Sequence, residues 1–295
     1  MRHREATALE TIWVEVPEDA MEAYEAALCS ACTTVGFFLD EDRRVWRIEG
    51  VKETGVDEAE LAAALMIAEA ISGVSAPLQR ASTEAEGWLA RTASNFPEQL
   101  IGERFAIRGT HLAGPLTPGR LTIVLDAGVA FGSGEHGSTR GCLRGFEMMA
   151  YRKPEKILDL GTGSGILAIG AALLLNRPVI ASDIDPWSVR TTRENAALNG
   201  VSNLIRPVLA DGWHAPVLST QGPYDLVFAN ILARPLCKMA RDLALNLAPG
   251  GTVILAGLLN TQVRMVLAAH ARQGLVLERV LREGAWSAMV LRKPF

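Results

Sequence analysis

The sequence contains no apolar run long enough to cross a bilayer. Its longest apolar runs, around residues 61–68 and 166–175, fall short of the roughly 20 residues that a spanning helix requires. The first residues, Met-Arg-His-Arg-Glu, also lack the apolar core of a secretory signal peptide. These absences predict a cytoplasmic protein with no membrane partner.

A basic excess is missing as well. Lys and Arg number 29 against 33 Asp and Glu, which gives a formal net charge of −4 and an isoelectric point near 5.8. Domains that bind nucleic acid usually carry a clustered basic excess. We therefore expect no direct binding to DNA or RNA.

Cysteine is scarce, with four residues in 295, as expected where thiols stay reduced. Cys29 and Cys32 form a Cys-Ser-Ala-Cys pair, but a second pair that would complete a metal site is absent. Such a pair serves redox chemistry, supplies half of a metal site or, most commonly, fills apolar space. We predict no metal site.

The chain is organised around a glycine-rich turn between two short apolar segments. Ile157–Leu160 is a predicted strand, Ile166–Leu175 a helix, and Val179–Ser182 a second strand that ends on Asp183. Glycines at 161, 163 and 165 let a ligand lie against the backbone at the helix amino terminus. Asp183 is placed to accept hydrogen bonds from the hydroxyls of a ribose. This βαβ unit therefore predicts a nucleoside site.

Two nucleoside ligands fit this unit. Residues 163–168, Gly-Ser-Gly-Ile-Leu-Ala, match a dinucleotide fingerprint and keep a nucleotide-dependent oxidoreductase open. Residues 158–165, Leu-Asp-Leu-Gly-Thr-Gly-Ser-Gly, resemble the first motif of the class I S-adenosylmethionine-dependent methyltransferases, in which an acidic residue precedes the glycines as Asp159 does here. A carboxylate suits a ligand with an ammonium and a sulfonium and disfavours a pyrophosphate. S-Adenosylmethionine is therefore the favoured cofactor.

Polar residues follow the next two predicted strands. Asp211 follows Leu204–Leu209 and can accept from the exocyclic amine of adenine, and Asn230 ends the strand from Tyr224. Because ligands in open α/β sheets lie beyond the carboxyl ends of the strands, Gly161, Asp183, Asp211 and Asn230 should face one crevice. A closing hairpin, Leu275–Arg282 and Ala285–Arg292, matches a seven-stranded methyltransferase sheet.

A second glycine-rich loop precedes the nucleotide unit. Residues 131–139 read Phe-Gly-Ser-Gly-Glu-His-Gly-Ser-Thr and lead into a predicted helix. Folded over a ligand, this loop would supply a hydroxyl from Thr139 and an apolar wall from Phe131. His136 suits a general base or a structural hydrogen bonder, and the sequence leaves that choice open.

The first 82 residues differ from the rest in charge and in predicted architecture. They carry 7 Lys and Arg against 16 Asp and Glu, whereas residues 83–295 carry 22 against 17. Their predicted order of elements, βαββαβ, is that of a ferredoxin-like sandwich. An acidic module predicts a cationic partner or a solvated acidic face.

Several segments together resemble the bacterial methyltransferase family that modifies protein eleven of the large ribosomal subunit. They include Trp88, Asn95-Phe-Pro97, Gly102-Glu-Arg104, residues 125–136, the glycine turn, residues 229–236 and Trp286. The resemblance implies that Thr139, Gly161, Asp183 and Asn230 contact S-adenosylmethionine and that the substrate is a large-subunit ribosomal protein. The sequence departs from the family at Gly137 and Ser138, where proline and threonine are usual.

The resemblance sets the expected fold and domains. The expected fold is α/β, a seven-stranded Rossmann-like class I methyltransferase sheet with a small ferredoxin-like amino-terminal domain. We predict a substrate-recognition domain over 1–82, a linker helix over 83–102 and an S-adenosylmethionine-binding catalytic domain over 103–295, with the cofactor held by Phe131, Thr139, Asp159, Gly161, Gly163, Gly165, Asp183, Asp211 and Asn230.

The expected activity is transfer of methyl groups to lysine or amino-terminal amines. An ammonium has no lone pair for in-line attack, and no acidic or basic residue adjoins Asn230 in the sequence. We therefore predict that Asn230 orients a neutral amine. The alternatives are another class I methyltransferase with an RNA or small-molecule substrate, a non-catalytic binding module and the oxidoreductase.

Overall fold

The computed structural model describes residues 9–32, 34–40, 43, 45–82, 97–125 and 137–295. The chain divides into two compact units, Met1–Arg91 and Thr92–Phe295. No helix among the described residues is both long enough and apolar enough to cross a membrane.

The described residues of unit 1 form a four-stranded antiparallel sheet with two α-helices. Its elements are β1 (Leu9–Val16), α1 (Met21–Cys29), β2 (Thr34–Asp40), β3 (Val45–Glu53), α2 (Glu58–Ser72) and β4 (Gln79–Ser82). The strand order β2-β3-β1-β4 is that of the expected ferredoxin-like sandwich. Side chains along β3 alternate between half-buried and buried, so one face of the sheet forms the core with α1.

Unit 2 contains a three-stranded and a seven-stranded sheet. The small sheet comprises β5 (Gln99–Ile101), β6 (Phe105–Gly109) and β7 (Leu121–Leu125). The other elements are α3 (Gly137–Met149), β8 (Ile157–Leu160), α4 (Ile166–Leu175), β9 (Val179–Asp183), α5 (Pro186–Leu198), β10 (Ile205–Leu209), α6 (Pro216–Gln221), β11 (Tyr224–Asn230), α7 (Ala233–Asn246), β12 (Leu247–Leu259), α8 (Val263–Ala271), β13 (Val276–Glu283) and β14 (Trp286–Arg292).

The seven strands lie in the order β10-β9-β8-β11-β12-β14-β13. β14 pairs antiparallel with both of its neighbours, whereas the pairs from β10 to β12 are parallel. Parallel strands buried on both faces read as continuous apolar segments, and all four residues of β8 are buried. The fold class predicted from the sequence, a seven-stranded Rossmann-like methyltransferase sheet, is confirmed.

The core of unit 2 lies on both faces of the large sheet. On one face Phe146 of α3 contacts Phe228 of β11 edge to face, with ring centroids 5.2 Å apart. On the other face α7 and α8 bury residues such as Leu236, Leu243 and Val266. Because the strands from β8 to β12 run in one direction, their carboxyl ends lie along a single edge.

Of the predicted linker helix over 83–102, the structure describes only residues 97–102. Residues 83–96, where the helix was expected, lie outside the described residues. Within the rest of the predicted linker, Gln99–Ile101 forms β5, which pairs antiparallel with β6. This segment is extended because its backbone pairs with β6, and its side chains alternate between exposed Leu100 and fully buried Ile101, as in a strand at a surface.

Candidate functional site

The glycine turn between β8 and α4 is the centre of the site. Gly161, Gly163 and Gly165 have φ values of 76°, 54° and 83°. Residues with a side chain rarely adopt such positive φ values, whereas glycine does so readily. The amides of Gly161 and Thr162 donate to the Ser182 carbonyl at 2.8 and 3.0 Å, and this ties the turn to β9.

α5 holds the outer side of the same turn. The Thr192 hydroxyl donates to the Gly163 carbonyl at 3.1 Å, and Asn195 Nδ2 donates to the Ser164 carbonyl at 2.8 Å. Both side chains are fully buried. These two residues were not predicted from the sequence, because their only signal there is a polar residue on the inner face of a predicted helix.

Asp159 supports the turn from below. Its carboxylate is fully buried, and Oδ2 accepts hydrogen bonds from the Thr162 hydroxyl at 2.8 Å and the Ala168 amide at 3.1 Å. Burial raises the pKa of Asp159 to about 7, although the two donors oppose that shift. The predicted direct contact with a ligand requires an accessible carboxylate, so in this structure Asp159 acts on the site through the turn.

Asp183 joins the turn to the end of β9. Its Oδ2 accepts from the Gly163 amide at 2.9 Å, and its Oδ1 accepts from the Asp185 amide at 3.0 Å. The residue is half-buried, and burial raises the pKa of its carboxyl while these amides oppose the shift. A carboxylate oxygen has two acceptor positions, so each oxygen of Asp183 can still accept from a hydroxyl.

Asn230 and Thr139 form a polar pair across two elements. Asn230 ends β11, Thr139 lies in the first turn of α3, and Asn230 Nδ2 donates to the Thr139 hydroxyl at 3.3 Å. Thr139 is buried and Asn230 half-buried. With its amide nitrogen engaged, Asn230 keeps its amide oxygen as an acceptor at this edge of the sheet.

The backbone after Asn230 is held by close packing against two glycines. A Cβ at Gly161 would overlap the Ile231 side chain, and a Cβ at Gly257 would lie 2.5 Å from the Ile231 carbonyl oxygen. Gly257 has φ of 80° and lies where the pairing of β12 with β14 shifts register. A glycine inside a strand signals such a bulge, and this signal was not used in the sequence analysis.

The amino-terminal end of α3 is anchored to the β13–β14 hairpin. Arg144 pairs with Glu283, and Arg140 Nε lies 3.7 Å from the same carboxylate. Glu283 thus joins the hairpin to two arginines on successive turns of α3. This anchor fixes the helix that carries Thr139.

Gly137 departs from the proline usual in the resembled family for a visible reason. A Cβ at this position would lie 2.7 Å from the Glu283 carbonyl oxygen and 3.1 Å from Trp286 Cδ1. The hairpin therefore approaches the start of α3 too closely for a side chain.

Asp211 lies at the end of β10 but is exposed, with its Oδ2 3.8 Å from His214 Nδ1. The end of β10 is tied to β9 through a hydrogen bond from the Ala210 amide to the Asp183 carbonyl at 2.8 Å. The structure thus brings Gly161, Asp183, Asp211 and Asn230 to the same edge of the sheet, and their shared contact with one ligand stays a prediction.

Phe131 and His136 lie outside the described residues, so their predicted roles stay predictions. Cys29 and Cys32 are free thiols, and desolvation of the sulfur atoms raises the pKa of both to about 11. Protonated thiols are poor nucleophiles and metal ligands, which disfavours a redox or metal role. Among the described residues no cluster of His, Cys, Asp or Glu is arranged to hold a metal.

Comparison with known proteins shows the family of the chain. The family model described as ribosomal protein L11 methyltransferase (PrmA) matches residues 18–294. The chain belongs to this family.

Relatives of the family cover most of the chain. A ribosomal protein L11 methyltransferase of Caulobacter sp. (strain K31) is 41% identical over 256 residues, 86% of each chain. One from Bradyrhizobium diazoefficiens is 46% identical over 213 residues, 72% of each chain. The crystal structure of ribosomal protein L11 methylase from Lactobacillus delbrueckii subsp. bulgaricus has a TM-score of 0.60 and 30% identity, covering 68% of this chain and 99% of that one. The chain is therefore a protein methyltransferase, and the family excludes the oxidoreductase alternative.

Gly257→Ala should destabilise this methyltransferase more than Gly274→Ala does. Both positions have φ near 80°, but a Cβ at Gly274 meets nothing within 4 Å, whereas one at Gly257 meets the Ile231 backbone. Left-handed strain alone costs about 1–2 kcal/mol in the free energy of unfolding, and Gly257→Ala should cost at least about 2 kcal/mol more. Urea unfolding measures the difference, and equal losses would contradict the packing role of Gly257.

Asp159→Asn should remove a pH dependence of stability. The pKa of Asp159 is 3.8 in an unfolded chain and about 7 in the folded one. Between about pH 4 and 7 the folded chain therefore holds a proton on this carboxyl that the unfolded chain has lost. The stabilisation that this carboxyl contributes is complete below pH 4 and is lost as pH rises through 7. The asparagine does not titrate, so the stability of wild type relative to the variant should fall by up to about 4 kcal/mol between pH 4 and 8.

Urea unfolding of both proteins at several pH values measures this loss. The asparagine retains an oxygen for the Thr162 and Ala168 donors, so that the comparison isolates the charge. A difference that does not vary with pH would show that Asp159 is ionised throughout.

Proposed function

We propose that the chain transfers methyl groups from S-adenosylmethionine to lysine or amino-terminal amines of a large-subunit ribosomal protein. The observation that supports this most directly is the convergence of the glycine turn, Asp183 and the Asn230–Thr139 pair at one sheet edge. The names of the relatives support the same substrate.

The residues at this edge fit S-adenosylmethionine. Asp183 retains acceptor capacity for the two ribose hydroxyls, and the turn exposes backbone without side chains at its glycines. The polar groups present are carboxylate, amide and hydroxyl oxygens, which suit a nucleoside that carries positive charge. An acidic residue at the position of Asp183 would bind the ribose of a dinucleotide equally well, so the choice of S-adenosylmethionine over a dinucleotide rests on membership of the methyltransferase family.

The chain's own contribution to the chemistry is to hold a neutral amine in line. When bound, S-adenosylmethionine supplies a methyl group on a sulfonium. Removing the proton from a lysine ammonium at pH 7 costs about 4–5 kcal/mol, and from an amino-terminal ammonium about 1 kcal/mol. Desolvation at the crevice lowers this cost because it disfavours the charged amine.

Asn230 is the residue that we assign to orient the amine. Its amide oxygen can accept one N–H of the neutral amine and thereby direct the nitrogen lone pair. Thr139 fixes the amide through the 3.3 Å hydrogen bond, and the contacts of Ile231 with Gly161 and Gly257 fix the backbone. Within the described residues no hydrogen bond or ion pair joins an acidic or basic side chain to Asn230, so we assign no general base there.

Unit 1 is the part that we assign to hold the protein substrate. Residues 1–82 carry a formal charge of −9, and ribosomal proteins are basic because they bind RNA. We expect no direct binding of nucleic acid by the chain, since the acidic surface would repel it.

The deciding experiment compares large-subunit ribosomal proteins from a deletion strain and its parent by mass spectrometry. One protein should lose mass in steps of a methyl group, and the purified enzyme with S-adenosylmethionine should restore it. Identical masses, with no methylation in vitro, would refute the proposal. Methylation of ribosomal RNA instead would support the RNA alternative.

Asp183→Ala should abolish most of the affinity for S-adenosylmethionine. Two hydrogen bonds to a charged group are worth about 3 kcal/mol, which corresponds to roughly a 150-fold increase in Kd. Asp225→Ala is the matched control, because Asp225 Oδ2 also accepts from two backbone amides, those of Glu155 and Lys156, at the opposite end of the sheet. Calorimetry should find cofactor affinity unchanged in the control, and an unchanged Kd in folded Asp183→Ala would refute the ribose assignment.

Asn230→Ala should lower kcat more than it weakens cofactor binding, since the amide acts on the attacking amine. Activity of the wild type should rise with pH as the amine loses its proton, under conditions where chemistry limits the rate. Steady-state kinetics with calorimetry separates the two effects. An effect confined to the Kd for the cofactor would contradict the orienting role of Asn230. A rate that is flat from pH 7 to 9.5 would instead contradict attack by an amine that loses its proton without a general base.

A further inference from the structure

The helix α2 is more apolar than its place in the fold requires. Eleven of its 15 residues are apolar, three are Glu, and none is Lys or Arg. A helix with this composition is normally buried on most sides. In unit 1 only Leu61 and Ala68 of α2 are buried, so most of its apolar surface is open to solvent.

The exposed apolar residues of α2 form one continuous strip. The strip comprises Ala59, Ala63, Met66, Ile67, Ala70 and Ile71, which recur at the helical spacing of i, i+4, i+7, i+8, i+11 and i+12. Met66 and Ile71 are each 74% exposed, and Ile67 is 58% exposed. Scattered apolar residues are common on surfaces, but a contiguous strip of this kind marks an interaction site.

Charge around the strip selects the kind of partner. Glu60 and Glu69 are exposed on the same helix, and residues 1–82 carry 16 acidic against 7 basic side chains. A second copy of the chain would bring the same acidic charge to the interface, which disfavours self-association. A partner with an apolar face bordered by Lys or Arg complements both features.

We propose that the α2 strip docks the apolar face of a basic segment of the protein substrate. This inference rests on the proposed function and assigns the surface that recognises its substrate. In this mode of binding, an amphipathic segment of the substrate lies along α2. Its apolar face covers Met66, Ile67 and Ile71. Its cationic side chains lie beside Glu60 and Glu69.

The test uses the full chain with Met66→Gln and Ile71→Gln combined. Glutamine is a good helix former, and both positions are exposed, so the fold should be kept. The control combines Leu245→Gln and Met265→Gln, which are exposed apolar residues on α7 and α8 of unit 2. The probe is the isolated large-subunit ribosomal protein that the wild type methylates.

The strip variant should raise KM for this protein about tenfold or more, with kcat, the Kd for S-adenosylmethionine and Tm unchanged. The control should leave all four values unchanged. If the wild type methylates the protein and the strip variant has the same KM, the docking proposal alone is overturned. If the wild type methylates no ribosomal protein, the proposed function fails and the docking proposal fails with it.

Two further outcomes would overturn the choice of partner. A dimer that dissociates in the strip variant, with KM unchanged, would make the strip an interface between copies. A lower Tm with a lower kcat would mean that the strip packs within the chain. Sedimentation velocity and thermal unfolding distinguish these outcomes.

Charge is tested separately with Glu60→Gln and Glu69→Gln combined. KM should rise several-fold at low salt, and the difference from wild type should shrink near 1 M salt, where screening acts over about 3 Å. Glu155→Gln with Glu194→Gln removes the same charge from unit 2 and should change KM less. Equal effects of the two pairs would mean that the partner responds only to net charge, which overturns the assigned position.

Discussion

A single buried carboxylate underlies the site. Asp159 lies under the glycine turn, where its Oδ2 ties the Thr162 hydroxyl to the amide of Ala168 in the first turn of α4. Water is excluded there, so these hydrogen bonds are stronger than they would be at a surface. The same burial makes the charge costly, and this is why the pKa of the carboxyl rises to about 7. The conformation of the turn therefore depends on hydrogen bonds to a carboxyl that burial makes costly to ionise.

Contacts run outward from the turn in two directions. Through the Gly163 amide the turn positions Asp183, and through the Asp183 carbonyl it is linked to Ala210 at the end of β10. On the other side Gly161 packs against Ile231, which lies next to Asn230. Asp183 and Asn230, to which we assign the ribose and the amine, are thus both positioned by contacts with the glycine turn.

Local patterns predict the elements of this fold well and its long-range contacts poorly. The bounds of β8 and α4 follow from an apolar run flanked by glycines, and the edge of the sheet follows from the direction of parallel strands. The expected direct contact of Asp159 with the cofactor could not be judged from the sequence, because the burial of its carboxylate depends on packing above and below the sheet. The anchor between Glu283 and Arg144 joins residues 139 positions apart, and no local pattern specifies such a pair.

Unit 1 and unit 2 differ in how many of their apolar residues the fold buries. In unit 2 nearly every apolar residue of the central strands is used by the fold, so function must reside in the polar residues at the strand ends. In unit 1 the fold buries only two residues of α2, although most of the helix is apolar. Apolar residues that the fold does not bury have no role in its core, and an exposed apolar strip costs solubility. The docking that we propose for α2 therefore uses apolar residues that the fold of unit 1 leaves exposed.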